Sequence, residues 1–206
     1  MSLRHSYTII APLYDAFLAA AGTGLRAASL AQLPQQPPQG GLDILISGIG
    51  TGLDLPYLPP DHTYTGLDLT AAMLERAKPR IGNLHLNLVR GDSMALPFAG
   101  ASFDYVVLHL ILAIVPDARS CLRETARVLK PGGHVLILDK FLKPGETAWL
   151  RRALNLLSQH IVTRLDVIFE EVLEGVPELK MEADVPVLAN GWFRSIRLTK
   201  DRPDAE

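Results

Sequence analysis

Apolar segments alternate with helical patterns along the middle of the chain. Short runs rich in Val, Ile and Leu predict strands, and the stretches between them have the three-to-four-residue spacing of amphipathic helices. The predicted strands cover residues 42–47, 63–69, 84–90, 103–110 and 134–141, with a further pair between about 184 and 199. Little polar alternation is typical of strands buried on both faces. Alternation with helices favours right-handed crossovers, so the pattern predicts an α/β fold with a doubly wound, mostly parallel sheet.

Helical patterns fill the rest of the chain. They cover residues 4–32, a short stretch that ends at Pro59-Pro60, residues 71–80, residues 117–129, and a segment from about 146 to 173. The first of these predicts one or two helices, broken near Gly22 and Gly24. Residues 32–41 follow it and are rich in Pro, Gln and Gly. This composition does not continue a helix, so it predicts a connector.

Composition narrows the function classes. The 206 residues are 48% hydrophobic and 20% charged, which is an ordinary globular balance. The net charge of −2 has no long block of one sign, so we expect no nucleic-acid partner. The single cysteine, Cys121, excludes an internal disulfide, and the six histidines lack metal-ligand spacing, so no metal site is predicted. Pro12 and Asp15 interrupt the N-terminal apolar stretch, and residues 110–115 are too short to span a bilayer, which predicts a cytoplasmic protein.

The stretch "LDILISGIGTGLDL" (residues 42–55) places three glycines directly after the first predicted strand. Ligands of doubly wound sheets bind beyond the carboxyl ends of the strands. Gly48 would allow the tight turn, while Gly50 and Gly52 would let a ligand touch the backbone. Asp68 ends the next strand about 20 residues later, where an acidic side chain typically accepts hydrogen bonds from ribose hydroxyls. The alternative is a tight β–α turn beside a solvated Asp68.

The glycine spacing indicates which nucleoside would bind. Dinucleotide loops have the pattern G-x-G-x-x-G with a diphosphate at a helix N-terminus, whereas this loop has the pattern G-x-G-x-G. Asp54 follows the loop, and its charge would oppose an anionic diphosphate. A cationic or neutral adenosyl ligand is favoured, and a nicotinamide-dependent dehydrogenase is disfavoured.

Five segments in order resemble the class I S-adenosylmethionine-dependent methyltransferases. The segments are "SGIGTG", "TGLDLTAAMLERA", "VRGDSMALPF", "FDYVVLHLILAIVPD" and "RVLKPGGHVLILDKF", within residues 42–141. The resemblance implies a seven-stranded Rossmann-like sheet with an N-terminal helical cover. It also implies S-adenosylmethionine as cofactor and methyl transfer as the reaction.

The resemblance also implies a set of cofactor-binding residues. These are Gly48, Gly50, Gly52, Asp68, Leu69, Asp92, Ser93 and Met94. The glycines would lie against the methionine part, Asp68 would bind the ribose, and Asp92 would accept a hydrogen bond from the adenine amino group. Ser93 or Met94 would offer backbone contacts, and apolar Leu69 and Met94 would flank the base. Alternatively, Asp92 caps a turn after Gly91.

Two titratable residues end the fourth and fifth predicted strands. We hypothesise that His109 is the base that removes a proton from the acceptor and that Asp139 orients it. The alternative is a histidine bonded to a local carbonyl group. Apolar residues follow His109, which predicts a small or lipophilic acceptor. The amphipathic helical segment 146–165 has a basic polar face, so it predicts either peripheral membrane contact or ordinary packing onto the sheet.

Within the family, "YTIIAPLYDAFL" and "IVPDARSCLRETARVLKPGG" are similar to small bacterial phospholipid N-methyltransferases and quinone C-methyltransferases. The chain departs from the family pattern at Ile46, where a carboxylate is usual. That departure motivates an alternative function, a non-catalytic S-adenosylmethionine-binding regulatory protein. We predict one domain over residues 1–206: an N-terminal helical cap and linker (1–41), a cofactor-binding core (42–141) and acceptor-side helices and last strands (142–206).

Overall fold

A seven-stranded sheet forms the centre of the protein, for which a computed structural model describes residues 23–35, 40–141, 167–188 and 193–202. The strands are β1 (Asp43–Ser47), β2 (Thr63–Asp68), β3 (His85–Arg90), β4 (Phe103–His109), β5 (Leu129–Lys140), β6 (Leu179–Leu188) and β7 (Phe193–Lys200). Their spatial order is β3-β2-β1-β4-β5-β7-β6. The first five strands pair in parallel, whereas β7 pairs antiparallel with β5 and β6. The predicted doubly wound, mostly parallel sheet is confirmed.

The described helices are short. They are α1 (residues 23–30), α2 (Ala71–Ala77), α3 (Ala118–Val128) and α4 (Phe169–Leu173), with 3-10 turns at Leu55–Tyr57 and Lys78–Arg80. Asp117 begins α3, because its Oδ1 accepts hydrogen bonds from the backbone N–H groups of Arg119 and Ser120 at 3.0 and 3.1 Å.

The structure describes two of the predicted helical segments only in part. Gly24 lies within α1, so no break occurs at that residue, whereas Gly22 lies outside the described residues and a break there stays a prediction. The predicted helical residues 4–22 and the amphipathic segment 146–165 lie outside the described residues. The three-part division of the chain stays a prediction.

Alternate residues of the central strands bury both faces of the sheet. On β4, Val106 and Leu108 pack into one apolar cluster, and Tyr105 and Val107 pack into another. Successive side chains of a strand point to opposite faces, so both clusters are built from the same strands. Ile46 is 1% exposed and belongs to the second cluster. Its side chain is therefore a core residue of β1.

Strand β6 forms one edge of the described sheet. Its pairing with β7 shifts register between Met181 and Ala183 and again between Pro186 and Leu188. Residues 181–186 are exposed, and charged side chains alternate with apolar ones along them. The edge is therefore irregular and open to solvent.

The described residues bear on three other possibilities, namely a membrane span, a metal site and a reactive cysteine. No helix there is long and apolar enough to cross a membrane, and no group of His, Cys, Asp and Glu side chains there has the geometry of a metal site. Cys121 is buried in α3, and burial raises the pKa of its thiol to about 12. The thiol is therefore protonated at neutral pH.

Candidate functional site

The glycine loop (residues 48–52) is bound to the end of β2 through its own backbone. The carbonyl oxygen of Leu67 accepts hydrogen bonds from the N–H groups of Gly48 at 2.8 Å and Ile49 at 2.9 Å. The N–H of Gly50 donates to Asp68 Oδ2 at 3.0 Å, and the N–H of Gly52 donates to the carbonyl of Ile49 at 3.0 Å. Since these four amides already have protein acceptors, the loop does not point them at an anion. This geometry disfavours a diphosphate more directly than the charge of Asp54 does.

The three loop glycines have positive φ angles, but their absent side chains leave different surroundings. A Cβ at Gly48 (φ +78°) would lie 2.7 Å from Ile111 Cδ1. A Cβ at Gly52 (φ +80°) would lie 2.9 Å from Leu55 Cδ1, so that space is filled by protein. The absent side chain of Gly52 therefore makes room for Leu55, and contact of the Gly52 backbone with a ligand stays a prediction. Of the three, only Gly50 (φ +56°) would place an added Cβ with no atom within 4 Å, so it forms the open part of the loop.

Asp68 lies at the carboxyl end of β2 and connects two loops. Its Oδ1 accepts hydrogen bonds from Thr70 N at 2.9 Å and Thr70 Oγ1 at 3.1 Å, and its Oδ2 accepts from Gly50 N. A carboxylate has about four acceptor sites, so Oδ2 keeps one lone pair for a further donor. The side chain is half-buried, and the next residue, Leu69, is 60% exposed. Asp68 therefore both shapes the glycine loop and can accept a ligand hydroxyl.

The loop after β3 carries the other predicted contacts. Asp92 Oδ1 accepts from the N–H of Met94 at 2.8 Å, so this residue does cap a local turn. Within the described chain its Oδ2 has no hydrogen-bond partner, and the carboxylate can cap the turn and still accept from a ligand. The hydroxyl of Ser47, at the end of β1, donates to Ser93 Oγ at 2.9 Å. This bond holds the loop after β3 beside the glycine loop.

A buried polar cluster connects α1, the segment after the glycine loop and the end of β4. Asp54 Oδ1 is 2.6 Å from Arg26 Nη1 and 2.9 Å from His109 Nδ1, and His109 Nε2 is 3.0 Å from Ser29 Oγ. These four residues, which we call the Arg26 bridge, are between 2% and 7% exposed. Burial alone would raise the pKa of Asp54, but His109 and Arg26 outweigh it and hold the pKa below its usual value. The carboxylate is therefore ionised and accepts from both neighbours.

The predicted partnership between His109 and Asp139 is wrong. Both ring nitrogens of His109 are engaged by Asp54 and Ser29. Asp139 instead accepts hydrogen bonds from the backbone N–H groups of Ala113 at 3.1 Å and Lys140 at 2.8 Å. Burial raises the pKa of Asp139 to about 6. Its observed contacts hold the loop that follows β4.

Sequence reasoning did not find Arg26, Ser29 or the contacts of Asp54. No spacing rule connects residues that lie 28 and 80 positions apart, and an arginine on a helical pattern is usually solvated. A weak signal was present at Asp54, because an acidic residue followed by Leu-Pro inside an apolar stretch needs a partner if it is buried.

The open side of Gly50, the remaining lone pairs of Asp68 and Asp92, and exposed Leu69 suit an adenosyl ligand. The hydroxyls of a ribose and an exocyclic amine are donors, which match carboxylate acceptors. An uncharged base matches an apolar flank. The residues present therefore fit the cofactor that the resemblance implies.

Comparisons with known proteins agree with this geometry. A family model described as a methyltransferase domain matches residues 45–137. Phosphatidylethanolamine N-methyltransferase of Cereibacter sphaeroides is 30% identical over 162 residues, which are 76% of this chain and 79% of that protein. Demethylmenaquinone methyltransferase of Staphylococcus epidermidis is 50% identical over 76 residues, but the match spans only 36% of this chain and 32% of that enzyme.

A solved structure shares this fold. An S-adenosylmethionine-dependent methyltransferase from Thermotoga maritima aligns with a TM-score of 0.69 at 19% identity, covering 96% of this chain and 99% of that one. At this identity the likeness concerns the arrangement of helices and strands.

Proposed function

Because this chain belongs to the S-adenosylmethionine-dependent methyltransferases, we propose that it methylates the amine of a phospholipid. The observation that carries the proposal is the length of the match to the phosphatidylethanolamine enzyme. Its 162 aligned residues extend beyond the family model at 45–137, so the similarity includes sequence outside the cofactor-binding core. Acceptor specificity depends on those outer segments, since the core is shared with methyltransferases of many acceptors.

The cofactor supplies a methyl group on a sulfonium, which is already activated for displacement. The chain's task is then to align the two reactants, and such positioning contributes roughly 7–11 kcal/mol to lowering a barrier. Gly50 and Asp68 would bind the nucleoside side. Leu110 and Ile111, both half-buried after β4, would give the acceptor side an apolar wall suited to a lipid.

The acceptor amine must lose a proton before or during transfer. His109 as the base stays a prediction, but without the assistance of Asp139, whose carboxylate accepts from the backbone of Ala113 and Lys140. The geometry argues against direct proton transfer by His109, because both ring nitrogens are bonded and the side chain is 1% exposed. If His109 is the base, His109→Gln should lower kcat by a larger factor than it weakens binding of S-adenosylhomocysteine, because His109 also contacts Asp54 beside the glycine loop.

A quinone precursor is the second candidate acceptor. The higher local identity to the demethylmenaquinone enzyme favours it, but that match covers about a third of either chain. The non-catalytic alternative gains no support, since the named relatives are methyltransferases. We include in the proposal a cytoplasmic location with peripheral membrane contact, because a phospholipid acceptor is presented at a membrane surface.

Methyl-labelled cofactor distinguishes the acceptors. The full chain is incubated with three kinds of vesicle. They are phosphatidylethanolamine in phosphatidylcholine, phosphatidylcholine alone, and demethylmenaquinone in phosphatidylcholine. Label in N-methylated phosphatidylethanolamine supports the proposal, and Asp68→Ala should abolish it. Label in the quinone alone supports the second candidate, and label in neither lipid refutes both.

A further inference from the structure

The Arg26 bridge joins three parts of the fold that sequence does not connect. Arg26 and Ser29 come from α1, Asp54 follows the glycine loop, and His109 ends β4. We propose that Arg26 and Ser29 are positioning residues, which hold the glycine loop in its cofactor-binding conformation through Asp54 and His109. They act through these partners and touch no reactant themselves.

The bridge is built as a chain of complementary groups. Ionised Asp54 can only accept, so His109 Nδ1–H donates to it, and Arg26 donates to the same oxygen. When the ring is neutral, its Nε2 accepts from the Ser29 hydroxyl. Removing Arg26 would leave a buried carboxylate without its cation, and a buried charge without its partner is strongly unfavourable. Asp54 would then move toward water and carry the end of the loop with it.

The order Ser29–His109–Asp54 is also that of a hydrolytic triad. Ser29, however, is 2% exposed, and Asp54 is shared with Arg26, so a substrate carbonyl has no access to the hydroxyl. The arrangement favours a fixed support rather than a nucleophile.

The bridge reaches the glycine loop from both of its sides. On one side, Leu55 follows Asp54, donates its N–H to the carbonyl of Gly52 at 3.2 Å, and fills the space beside Gly52. On the other side, Leu110 follows His109 with a φ of +57°, and Ile111 then packs against Gly48. A shift of Asp54 or His109 is therefore transmitted to both flanks of Gly50.

Coupling between α1 and the loop must be reciprocal. If docking of α1 favours cofactor binding, then cofactor binding must stabilise the docking of α1 by the same factor. This reciprocity separates positioning from ordinary packing, because a merely structural contact would lower stability without linking α1 to the ligand.

The test measures binding of S-adenosylhomocysteine by calorimetry and amide hydrogen exchange of residues 24–33 with and without it. The variants are Arg26→Ala, Arg26→Lys and the milder Ser29→Ala. The control is Arg194→Ala on β7, since Arg194 is equally buried and is also paired with carboxylates, those of Asp184 and Glu170. It lies three strands from β1.

We expect Arg26→Ala to weaken binding roughly ten-fold, with a partial recovery in Arg26→Lys and binding within two-fold of wild type in Arg194→Ala. The ligand should slow exchange of residues 24–33 in the wild type and have little effect in Arg26→Ala. If Arg26→Ala does not fold, Ser29→Ala should show the same two changes at smaller size.

Unchanged affinity in the α1 variants, equal weakening in Arg194→Ala, or no ligand effect on wild-type exchange would overturn the proposal. Binding needs no acceptor, so failure of the phospholipid reaction leaves this result readable. A wild-type chain that binds no S-adenosylhomocysteine would overturn the cofactor assignment and this proposal together.

Discussion

Replacing Gly50 by alanine should separate cofactor binding from stability. Gly50 has a φ of +56°, and a Cβ there would have no protein atom within 4 Å. The added methyl group would occupy the space that we assign to the cofactor. The substitution therefore places an obstacle in the binding site without disturbing the packing of the protein.

Gly50→Ala and its control Gly48→Ala should lose different amounts of stability. An L-residue in the left-handed region costs about 1–2 kcal/mol, which should be the whole loss in the free energy of unfolding for Gly50→Ala. Gly48→Ala is the matched control, because its backbone is also left-handed but its Cβ would meet Ile111 Cδ1 at 2.7 Å. Overpacking adds about 1–3 kcal/mol, so Gly48→Ala should lose about 2–5 kcal/mol in total.

Urea unfolding and calorimetric titration with S-adenosylhomocysteine measure the two quantities. We expect Gly50→Ala to bind at least ten-fold more weakly while it remains the more stable of the two variants. A Gly50→Ala protein with wild-type affinity would show that the cofactor does not lie against this residue. A Gly50→Ala protein as unstable as Gly48→Ala would show that the space beside Gly50 is not open.

Two further predictions concern carboxylates at the ends of strands. Asp68→Ala removes the acceptor of the Gly50 N–H and should weaken binding of S-adenosylhomocysteine at least ten-fold by calorimetry. The control is Asp104→Ala, because Asp104 forms an ion pair with Lys130 near the start of β4. This control should bind within two-fold of wild type. The folded-state pKa of Asp139 is raised from 3.8 to about 6, so the folded protein favours the protonated carboxyl. The contribution of Asp139 to the free energy of unfolding is therefore fully present below about pH 4 and is lost as pH rises through 6. Relative to Asp139→Asn, which stays neutral, the wild-type free energy of unfolding should fall by about 3 kcal/mol between pH 4 and 7 in urea titrations; parallel pH profiles would contradict the assigned burial.

The sheet was predictable from sequence because its strands have a simple pattern. Ile44, Ile46, Val106 and Val107 belong to runs that are apolar on both faces, and such runs alternate with helical spacing. The glycine loop and Asp68 were predictable for the same reason, since the end of one strand and the end of the next are adjacent in a parallel sheet. Local pattern and fold class together determine these positions.

The partners of His109 were not predictable. The sequence places His109 and Asp139 at the ends of two predicted strands, which pair in the structure, but it does not show which way each side chain points. Asp139 turns toward the backbone of the loop after β4, and His109 turns toward Asp54 and α1. Side-chain direction depends on tertiary packing, which a spacing rule does not contain.

The irregular outer strand β6 has a consequence for the protein at high concentration. Aggregation by edge-to-edge addition needs a flat strand with a continuous row of backbone donors and acceptors. The register shifts in β6 interrupt that row, Pro186 lacks an N–H, and the charges of Lys180 and Glu182 would repel or solvate an incoming copy. This edge therefore protects the sheet against fibril-like association.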